Sequence, residues 1–336
     1  MAVMEIAVEI GTGFISLYLA GNGIVLREPT IIAFQDDPKN KRVRAVGAAA
    51  EQMLGKTPER TTIVTPVEDG VIVDPEACTV LLRAFIRKIL PASYVFAPKI
   101  KAIVGIPMGL TVEERGMYED VCVAAGISEV TMVDNVMLTG VGIDLPVSGS
   151  GGLLVNIGAG TTEIAALSLA GVISGCAVTI AGNKMDNAII DYVAGKYDVS
   201  IGKLAARKLK NEIGSLFSND MSEAAVSGRN VRTKNSASTF VLAAELCDVL
   251  RPYYLQIAEA VESIINMCPP EIAGDIYRRG IWVVGGGAQI LGLRETFSER
   301  LKLSVYSVDD PSYCTILGAG KLLSDKALLH EILTQK

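Results

Sequence analysis

The same short glycine pattern occurs twice in this sequence, and its repetition limits the folds that the chain can adopt. Residues 9–13 read EIGTG, and residues 156–160 read NIGAG. An apolar run precedes each copy and a strand-like run follows it, which predicts a β-hairpin at each place. Two similar hairpins in the two halves of one chain indicate a duplicated fold.

Each glycine turn is also a candidate binding site for an anion. Glycine permits positive φ angles and lets an anion approach the backbone amide groups closely. The hydroxyl groups of Thr161 and Thr162 add donors beside the second turn. One such turn is equally typical of ordinary β structure, whereas two turns that face each other suit a polyphosphate.

A third glycine cluster follows another strand-like run late in the chain. Residues 280–284 (GIWVV) are predicted to form a strand, and Gly285, Gly286 and Gly287 come directly after it. Because glycines carry no side chains, a flat ring can lie against the backbone at this place. We therefore expect the triplet to form the wall of a site for a nucleotide base.

Apolar residues at helical spacing predict the main helices of the chain. We expect helices at 75–90, 183–193, 203–216 and 240–266, and one closing helix at 313–328. The polar stretch 220–239 is interpreted as a pair of strands with loops.

Composition excludes several classes of protein. A length of 336 residues suits two domains, and the net charge of −6 argues against nucleic acid as the main partner. The six cysteines include no Cys-x-x-Cys pair, which favours a reducing, cytoplasmic environment. His330 is the single histidine, so His-based metal sites and Ser-His-Asp triads are excluded. No signal peptide or membrane-spanning run is expected.

Ten ordered segments of the chain resemble the actin-like ATPase superfamily, and within it the MreB-like bacterial actins. The resemblance runs nearly from end to end. The matching segments are 9–13, 21–34, 45–58, 66–74, 103–116, 156–173, 183–193, 210–215, 283–293 and 309–321.

The resemblance implies an α/β, actin-like fold of two duplicated ribonuclease-H-like domains with a nucleotide in the central cleft. The first domain is expected at 1–147, with a small subdomain at about 32–65. The second is expected at 148–336, with a small subdomain at about 183–245. The Gly/Ser-rich stretch 145–152 is the predicted crossover between them.

The resemblance also implies which residues bind the nucleotide, ATP or ADP with Mg²⁺. They come from the two glycine turns, two later segments and the glycine triplet: Gly11, Thr12, Gly13, Gly158, Gly160, Thr161, Thr162, Gly182, Asn183, Lys210, Glu212, Gly285, Gly286 and Gly287. Lys210 and Glu212 correspond to contacts of the family with the ribose, and Glu212 is the stronger candidate of the two.

This chain departs from the family pattern at positions that hold the catalytic and metal-binding residues of the family. Asn156 stands at a position where Asp is typical, and Asn183 likewise replaces Asp. Asn135 stands where the family has a water-activating Glu, and Glu9 replaces Asp with a side chain longer by one methylene. Three carboxylates have thus become amides.

We expect these changes to slow catalysis. The candidate catalytic residues are Glu9, Asn135, Asn156 and Thr161. Asn135 can orient a water molecule but cannot accept its proton, and Glu9 alone remains to hold Mg²⁺ through water. The expected result is nucleotide binding with slow or absent hydrolysis, and the alternative is an ordinary ATPase that tolerates the amides.

One apolar segment lies between two prolines where a loop is expected. Tyr94, Val95 and Phe96 correspond to a loop that contacts the membrane surface in MreB-like proteins. Peripheral membrane contact and burial in the core are both open for these three residues.

The resemblance leaves three functional hypotheses. The first is a cytoskeletal protein that polymerises with itself and determines cell shape, with cytoskeletal or wall-synthesis proteins as partners, in the cytoplasm or at the inner face of the cell membrane. The second is a filament of the MamK type that positions an organelle or plasmid. The third is a nucleotide-binding regulator that does not polymerise, or a small-molecule kinase of the same fold.

Overall fold

A computed structural model describes residues 3–35, 42–90 and 98–335 of the chain. The strands are β1 (Val3–Ile10), β2 (Phe14–Leu19), β3 (Gly23–Pro29), β4 (Ile32–Gln35), β5 (Arg42–Val46), β6 (Thr61–Val64), β7 (Val67–Glu68), β8 (Val71–Ile72), β9 (Lys99–Ile106), β10 (Glu129–Asp134), β11 (Gly152–Ile157), β12 (Thr162–Ser168), β13 (Gly171–Val178), β14 (Val199–Ser200), β15 (Glu223–Asn230), β16 (Ser236–Leu242), β17 (Ile281–Val284) and β18 (Val305–Tyr306).

The helices of the described residues complete the fold. They are α1 (Ala48–Glu51), α2 (Pro75–Ile89), α3 (Val112–Ala125), α4 (Asn135–Gly142), α5 (Gly182–Tyr197), α6 (Lys203–Ile213), α7 (Ala243–Met267), α8 (Pro270–Arg279), α9 (Leu293–Leu301), α10 (Cys314–Ser324) and α11 (Lys326–Thr334), with 3-10 helices at Gly286–Gln289 and Pro311–Tyr313. None of the helices within these ranges is long and apolar enough to cross a membrane.

Two five-stranded sheets confirm the duplicated fold. In the first half the strands lie in the order β3-β2-β1-β9-β10, and in the second half in the order β13-β12-β11-β17-β18. The directions also match, because the first three strands of each order are antiparallel and the last three are parallel. The two glycine turns therefore occupy equivalent places, each at the end of the central strand of its sheet.

The central strands are apolar nearly throughout because both of their faces are covered. Along β1, Ile6 and Val8 pack into one core cluster while Ala7 packs into another. Along β11, Val155 and Leu154 divide in the same way between two clusters. This packing holds each glycine turn at the end of a rigid strand.

Each half also carries a smaller three-stranded sheet. Strands β5-β4-β6 lie inside the range expected for the first small subdomain, and β14-β15-β16 lie inside the range expected for the second. The domain boundaries themselves stay a prediction.

Several helix predictions were wrong in their limits. Helix α7 begins at Ala243, because residues 236–242 pair with β15 instead of continuing the apolar helical stripe. Helix α8 begins at Pro270, with Pro269 as its N-cap, in a segment where no helix was predicted. The closing helix is two helices, since the Asp325 side chain accepts a hydrogen bond from the Leu328 amide and begins α11.

Two glycines bring α4 and α10 into backbone contact beneath the cleft. A Cβ atom on Gly318 would lie 1.7 Å from the Leu138 carbonyl oxygen, and one on Gly142 would lie 2.0 Å from that of Cys314. Helix α10 also packs against β1, so this crossing joins the two halves of the chain.

The apolar segment Tyr94, Val95 and Phe96 lies outside the described residues. Its contact with a membrane remains a prediction from the sequence.

Candidate functional site

A cleft of about 300 Å³ lies between the two halves and brings most of the predicted site residues together. Both glycine turns, the glycine triplet and the start of α5 line it. The predicted residues among its lining are Glu9, Gly11, Thr12, Gly13, Asn135, Asn156, Gly158, Gly160, Thr161, Gly182, Asn183, Lys210, Gly285, Gly286 and Gly287.

The two glycine turns have the same hydrogen bonding. The Gly11 amide donates to the Phe14 carbonyl oxygen at 3.0 Å, and the Gly158 amide donates to that of Thr161 at 2.9 Å. Within the described ranges, the amides of the two central residues of each turn have no hydrogen-bond partner; these residues are Thr12, Gly13, Ala159 and Gly160. Four backbone donors are thus available to a ligand in the cleft.

Close approach, and not positive φ, explains the glycines of the turns. None of the four turn glycines has a positive φ. A Cβ atom on Gly160 would lie 2.5 Å from Thr12 Oγ1 and 2.9 Å from the Asp69 Cα atom. One on Gly13 would lie 2.9 Å from the Ala159 Cβ atom. The turns therefore touch each other across the cleft, as the duplicated pattern predicted.

The glycine triplet has two different roles along its length. A Cβ atom on Gly285 would lie 2.4 Å from the Ile157 carbonyl oxygen, and one on Gly287 would lie 2.3 Å from Ile157 Cγ2. These two glycines therefore permit packing against β11. Nothing lies within 4 Å of a Cβ atom on Gly286, so this glycine presents open backbone to the cleft.

Glu9 begins a row of polar side chains that crosses the sheet of the first half. In the strand register Glu9 pairs with Ser16, and Ser16 pairs with Arg27. Burial raises the pKa of Glu9 to about 7, although the Arg27 charge and a hydrogen bond with Ser16 oppose that rise. Glu9 is therefore only partly ionised near neutral pH.

Glu163 is a second carboxylate of the cleft and is not among the predicted site residues. It is 3% exposed, pairs with Asn156 in the register, and accepts a hydrogen bond from the Met108 amide at 2.8 Å. Burial raises its pKa to about 7; nearby Glu9 adds to the rise, and a hydrogen bond with Asn135 opposes it. The duplicated register was the available signal, because it places residue 163 opposite Asn156.

Asn135 lies at the start of α4 over a glycine of the sheet. A Cβ atom on Gly105 would lie 2.5 Å from Asn135 Oδ1, so glycine is what makes room for this amide. Its Oδ1 atom is buried and has no hydrogen-bond partner among the described residues. An unpartnered buried acceptor at the cleft is available to a donor such as water.

The start of α5 is tied to the second glycine turn. The Gly182 amide donates to the Gly158 carbonyl oxygen at 3.1 Å, and the Asn183 amide donates to that of Ala159 at 2.7 Å. The Asn183 side chain accepts a hydrogen bond from Arg207 at 3.4 Å. The helix thus fixes the turn with its first amide groups.

Lys210 is held below this helix by a buried carboxylate. Its Nζ atom lies 2.6 Å from Asp186 Oδ1 and donates to the Gly182 carbonyl oxygen at 2.8 Å. Burial lowers the pKa of Lys210, and the Asp186 charge opposes that effect. Arg207 of α6 lies 3.3 Å from Asp186 of α5 and also 3.3 Å from Glu51 of α1. It therefore links helix α1 of the first half to helices α5 and α6 of the second half across the cleft.

Two predicted residues are not among the lining of the cleft. The Thr162 hydroxyl is buried and donates to the Ile180 carbonyl oxygen at 2.6 Å. Glu212 is on the exposed face of α6, and its neighbour Asn211 lines the cleft instead. The helical register of α6 turns residue 212 away from residues 207, 210 and 211.

The residues present fit a magnesium ion that arrives on phosphate groups. No group of three or more Asp, Glu, His or Cys residues suited to a metal occurs in the described part of the chain. Glu163 is engaged with Met108 and Asn135, and Asp186 with Lys210. Of the carboxylates that line the cleft in the described part of the chain, Glu9 therefore remains for the hydration shell of such an ion, since Mg²⁺ commonly uses one or two carboxylates plus phosphates.

Comparisons with known proteins agree with this architecture. Cell shape-determining protein MreB of Escherichia coli K12 is 36% identical over 323 residues, which cover 95% of this chain and 93% of that protein. MreB5 of Spiroplasma citri bound to ADP superposes with a TM-score of 0.90 at 28% identity, covering 97% of this chain and 98% of that one. The same protein bound to AMPPNP gives the same score over both full chains.

A MamK double helical filament also shares the fold. It matches with a TM-score of 0.79 at 20% identity, over 96% of this chain and 99% of that one. A family model described as MreB/Mbl protein matches residues 3–331. With that match and the duplicated sheets around one cleft, the chain belongs to the MreB/Mbl family of bacterial actin-like proteins.

Proposed function

We propose that the cleft binds an adenine nucleotide, ATP or ADP, between the two glycine turns. The observation that carries this proposal is the set of four backbone amides without partners among the described residues, at Thr12, Gly13, Ala159 and Gly160. Amides of this kind bind phosphate oxygens. The relatives solved with ADP and AMPPNP support the choice of an adenine nucleotide.

In this proposal each part of the cleft has a separate task. The turns hold the phosphates, and the open backbone at Gly286 faces the base. Lys210 and Asp186 are paired with each other, so they position the start of α5 and add little net charge. Mg²⁺ supplies charge neutralisation for the phosphates when it is bound, with Glu9 beside its hydration shell.

We propose that hydrolysis is slow. Asn135, Asn156 and Asn183 have no group that can accept a proton from water at neutral pH. Glu163 has a pKa near 7 and can accept a proton, but the Met108 amide and Asn135 already occupy its carboxylate. The buried Oδ1 of Asn135 can orient a water molecule without deprotonating it.

We further propose that the protein polymerises with itself into filaments that take part in determining cell shape. The names of the MreB relatives support this function over organelle or plasmid positioning, because the MamK match extends only to the fold. Location in the cytoplasm, contact of residues 94–96 with the inner face of the membrane, and association with wall-synthesis proteins are parts of the same proposal. The kinase alternative has no supporting observation in the cleft.

The test is phosphate release from purified protein with Mg-ATP, at concentrations where polymers sediment, with electron microscopy of the same samples. We expect filaments with phosphate release at least about 10²-fold slower than in an actin-type ATPase that keeps its carboxylates. Release at an ordinary rate would show that the amides do not limit hydrolysis. Nucleotide binding without filaments would favour the non-polymerising regulator.

A further inference from the structure

Arg27 places a positive charge inside the cleft, next to the carboxylate that faces it. The residue lies on β3 and its side chain lines the cleft. In the strand register it follows Glu9 and Ser16 in one row, so all three side chains lie on the same face of the sheet. The Arg27 charge also acts on Glu9, whose pKa it lowers against the effect of burial.

The guanidinium group of Arg27 lies against two aromatic rings. Its Cζ atom lies 4.6 Å from the centre of the Phe14 ring and 4.4 Å from that of the Tyr313 ring. Nη1 donates to the Ser312 carbonyl oxygen at 2.9 Å and to Ser312 Oγ at 3.1 Å. Both rings lie within cation–π distance, and together with Ser312 they hold the group in place before any ligand binds.

The remaining donors of Arg27 lie in the plane of the guanidinium group, at its edge. Nε and Nη2 have no hydrogen-bond partner within the described residues. No ion pair joins Arg27 to a carboxylate within 4.0 Å in the same part of the chain. The group therefore retains charge and donors that an anion can use.

Few carboxylates in this cleft are available to hold a cation. Asn156 and Asn183 carry amides, and Asp186 is neutralised by Lys210. A fixed cation that belongs to the protein stands beside Glu9 instead. Among the described residues, three acidic side chains (Glu9, Glu163 and Asp186) and three basic ones (Arg27, Arg207 and Lys210) line the cleft, and burial raises the pKa of both glutamates to about 7. Near neutral pH these residues therefore give the cleft no excess of negative charge that a metal ion would have to offset.

We propose that Arg27 is a built-in counter-ion for the phosphates of the bound nucleotide, so that binding depends only weakly on Mg²⁺. This inference rests on the proposed function, because it assumes that the cleft takes a nucleotide. It concerns binding and positioning, and assigns no chemical step to Arg27.

The experiment measures the dissociation constant of ADP by calorimetry, once with excess Mg²⁺ and once with EDTA. The proteins are the wild type, Arg27→Gln, Arg27→Lys and Arg83→Gln, a control whose arginine donates to the Ala124 carbonyl oxygen away from the cleft. We expect less than about a tenfold loss of affinity on removing Mg²⁺ in the wild type and in Arg83→Gln. We expect an additional loss of about tenfold or more in Arg27→Gln, with Arg27→Lys in between.

The outcomes separate this inference from the function on which it rests. Absence of ADP binding to the wild type at millimolar concentration with Mg²⁺ would overturn the proposed function. Binding with the same Mg²⁺ dependence in the wild type and Arg27→Gln would overturn the role of Arg27 alone. If Arg27→Gln does not fold, the wild-type ratio decides, and a loss well above tenfold in EDTA overturns the inference.

Discussion

The two halves of the molecule share a strand order and a glycine turn, but they place charge differently around those shared parts. In the first half the carboxylate is on the first strand, at Glu9, and the register continues to Ser16 and Arg27. In the second half the first strand carries the amide Asn156, and the carboxylate is on the second strand, at Glu163. Duplication has preserved the backbone while the ionisable groups have diverged.

The shift of the carboxylate by one strand changes what it contacts. Glu9 interacts with Ser16 and Arg27 of its own half. Glu163 accepts hydrogen bonds from Met108 and Asn135, which both belong to the other half. The carboxylate of the first half thus interacts within its own half, whereas the carboxylate of the second half, one strand further along, joins the two halves.

The largest expected effect comes from removing the charge of Glu163. Its pKa in the folded protein is about 7 against an ordinary value of 4.5, so the folded state binds the proton more tightly than the unfolded state. Stability is therefore lost as pH rises from about 4.5 through about 7. Relative to the wild type, Glu163→Gln should gain about 2.5 kcal/mol between pH 5 and pH 8, measured by urea denaturation.

The equivalent change in the first half provides the comparison. Glu9→Gln should gain a similar amount over the same pH range, because the pKa of Glu9 is also raised to about 7. It should be less stable than Glu163→Gln at every pH in that range, because it also removes the partner of the Arg27 charge. A Glu163→Gln variant whose stability runs parallel to that of the wild type from pH 5 to pH 8 would contradict the raised pKa.

A second, smaller effect is expected where the two turns touch. In Gly160→Ala the new Cβ atom would lie 2.9 Å from the Asp69 Cα atom, a backbone atom that cannot rotate away. We expect a loss of about 2 kcal/mol in stability and weaker ADP binding by about tenfold or more. Gly13→Ala should cost less, because the new Cβ atom meets only the Ala159 methyl group.

The control for these variants is Gly195→Ala in α5, where nothing lies within 4 Å of the added atom. This change should leave ADP binding unaltered and stabilise the helix slightly. Equal losses of affinity in Gly13→Ala and Gly160→Ala would show that the turns adjust to each other more freely than their contact indicates.

The smallest expected effect concerns the ion pair that crosses the cleft between Glu51 and Arg207. Both side chains are partly exposed, so the pair contributes at most about 1 kcal/mol. Glu51→Gln should speed the release of a fluorescent ADP analogue about two- to fivefold. Glu259→Gln on α7 is the control. An equal release rate in Glu51→Gln and the wild type would show that this ion pair does not help to retain the nucleotide in the cleft.

Much of the fold could be predicted from periodicity and from the repeated glycine pattern. The two hairpins and helix α2, which was expected at 75–90, follow from residues that are neighbours in the sequence. The predicted limits of helices were wrong where contacts with residues distant in the sequence determine the secondary structure. Residues 240–242 fit the helical stripe of α7, but pairing with β15 draws them into a strand.

The candidate site was predicted in its backbone but incompletely in its side chains. The glycine turns could be identified because the pattern occurs twice, whereas one copy alone is equally typical of ordinary β structure. Glu163 and Arg27 give no such local signal. Their importance depends on the strand register and on burial, which become visible only when the two halves are assembled around the cleft.

The glycine crossing of α4 and α10 has a consequence for how the molecule moves. Backbone atoms at Gly142 and Gly318 leave no space for a side chain, so the two helices cannot separate at this point without losing their packing. We expect the two halves to rotate as rigid bodies about this crossing, which acts as a hinge. A slight change of angle near the hinge then becomes a much larger displacement at the outer ends, where a neighbouring copy would stack.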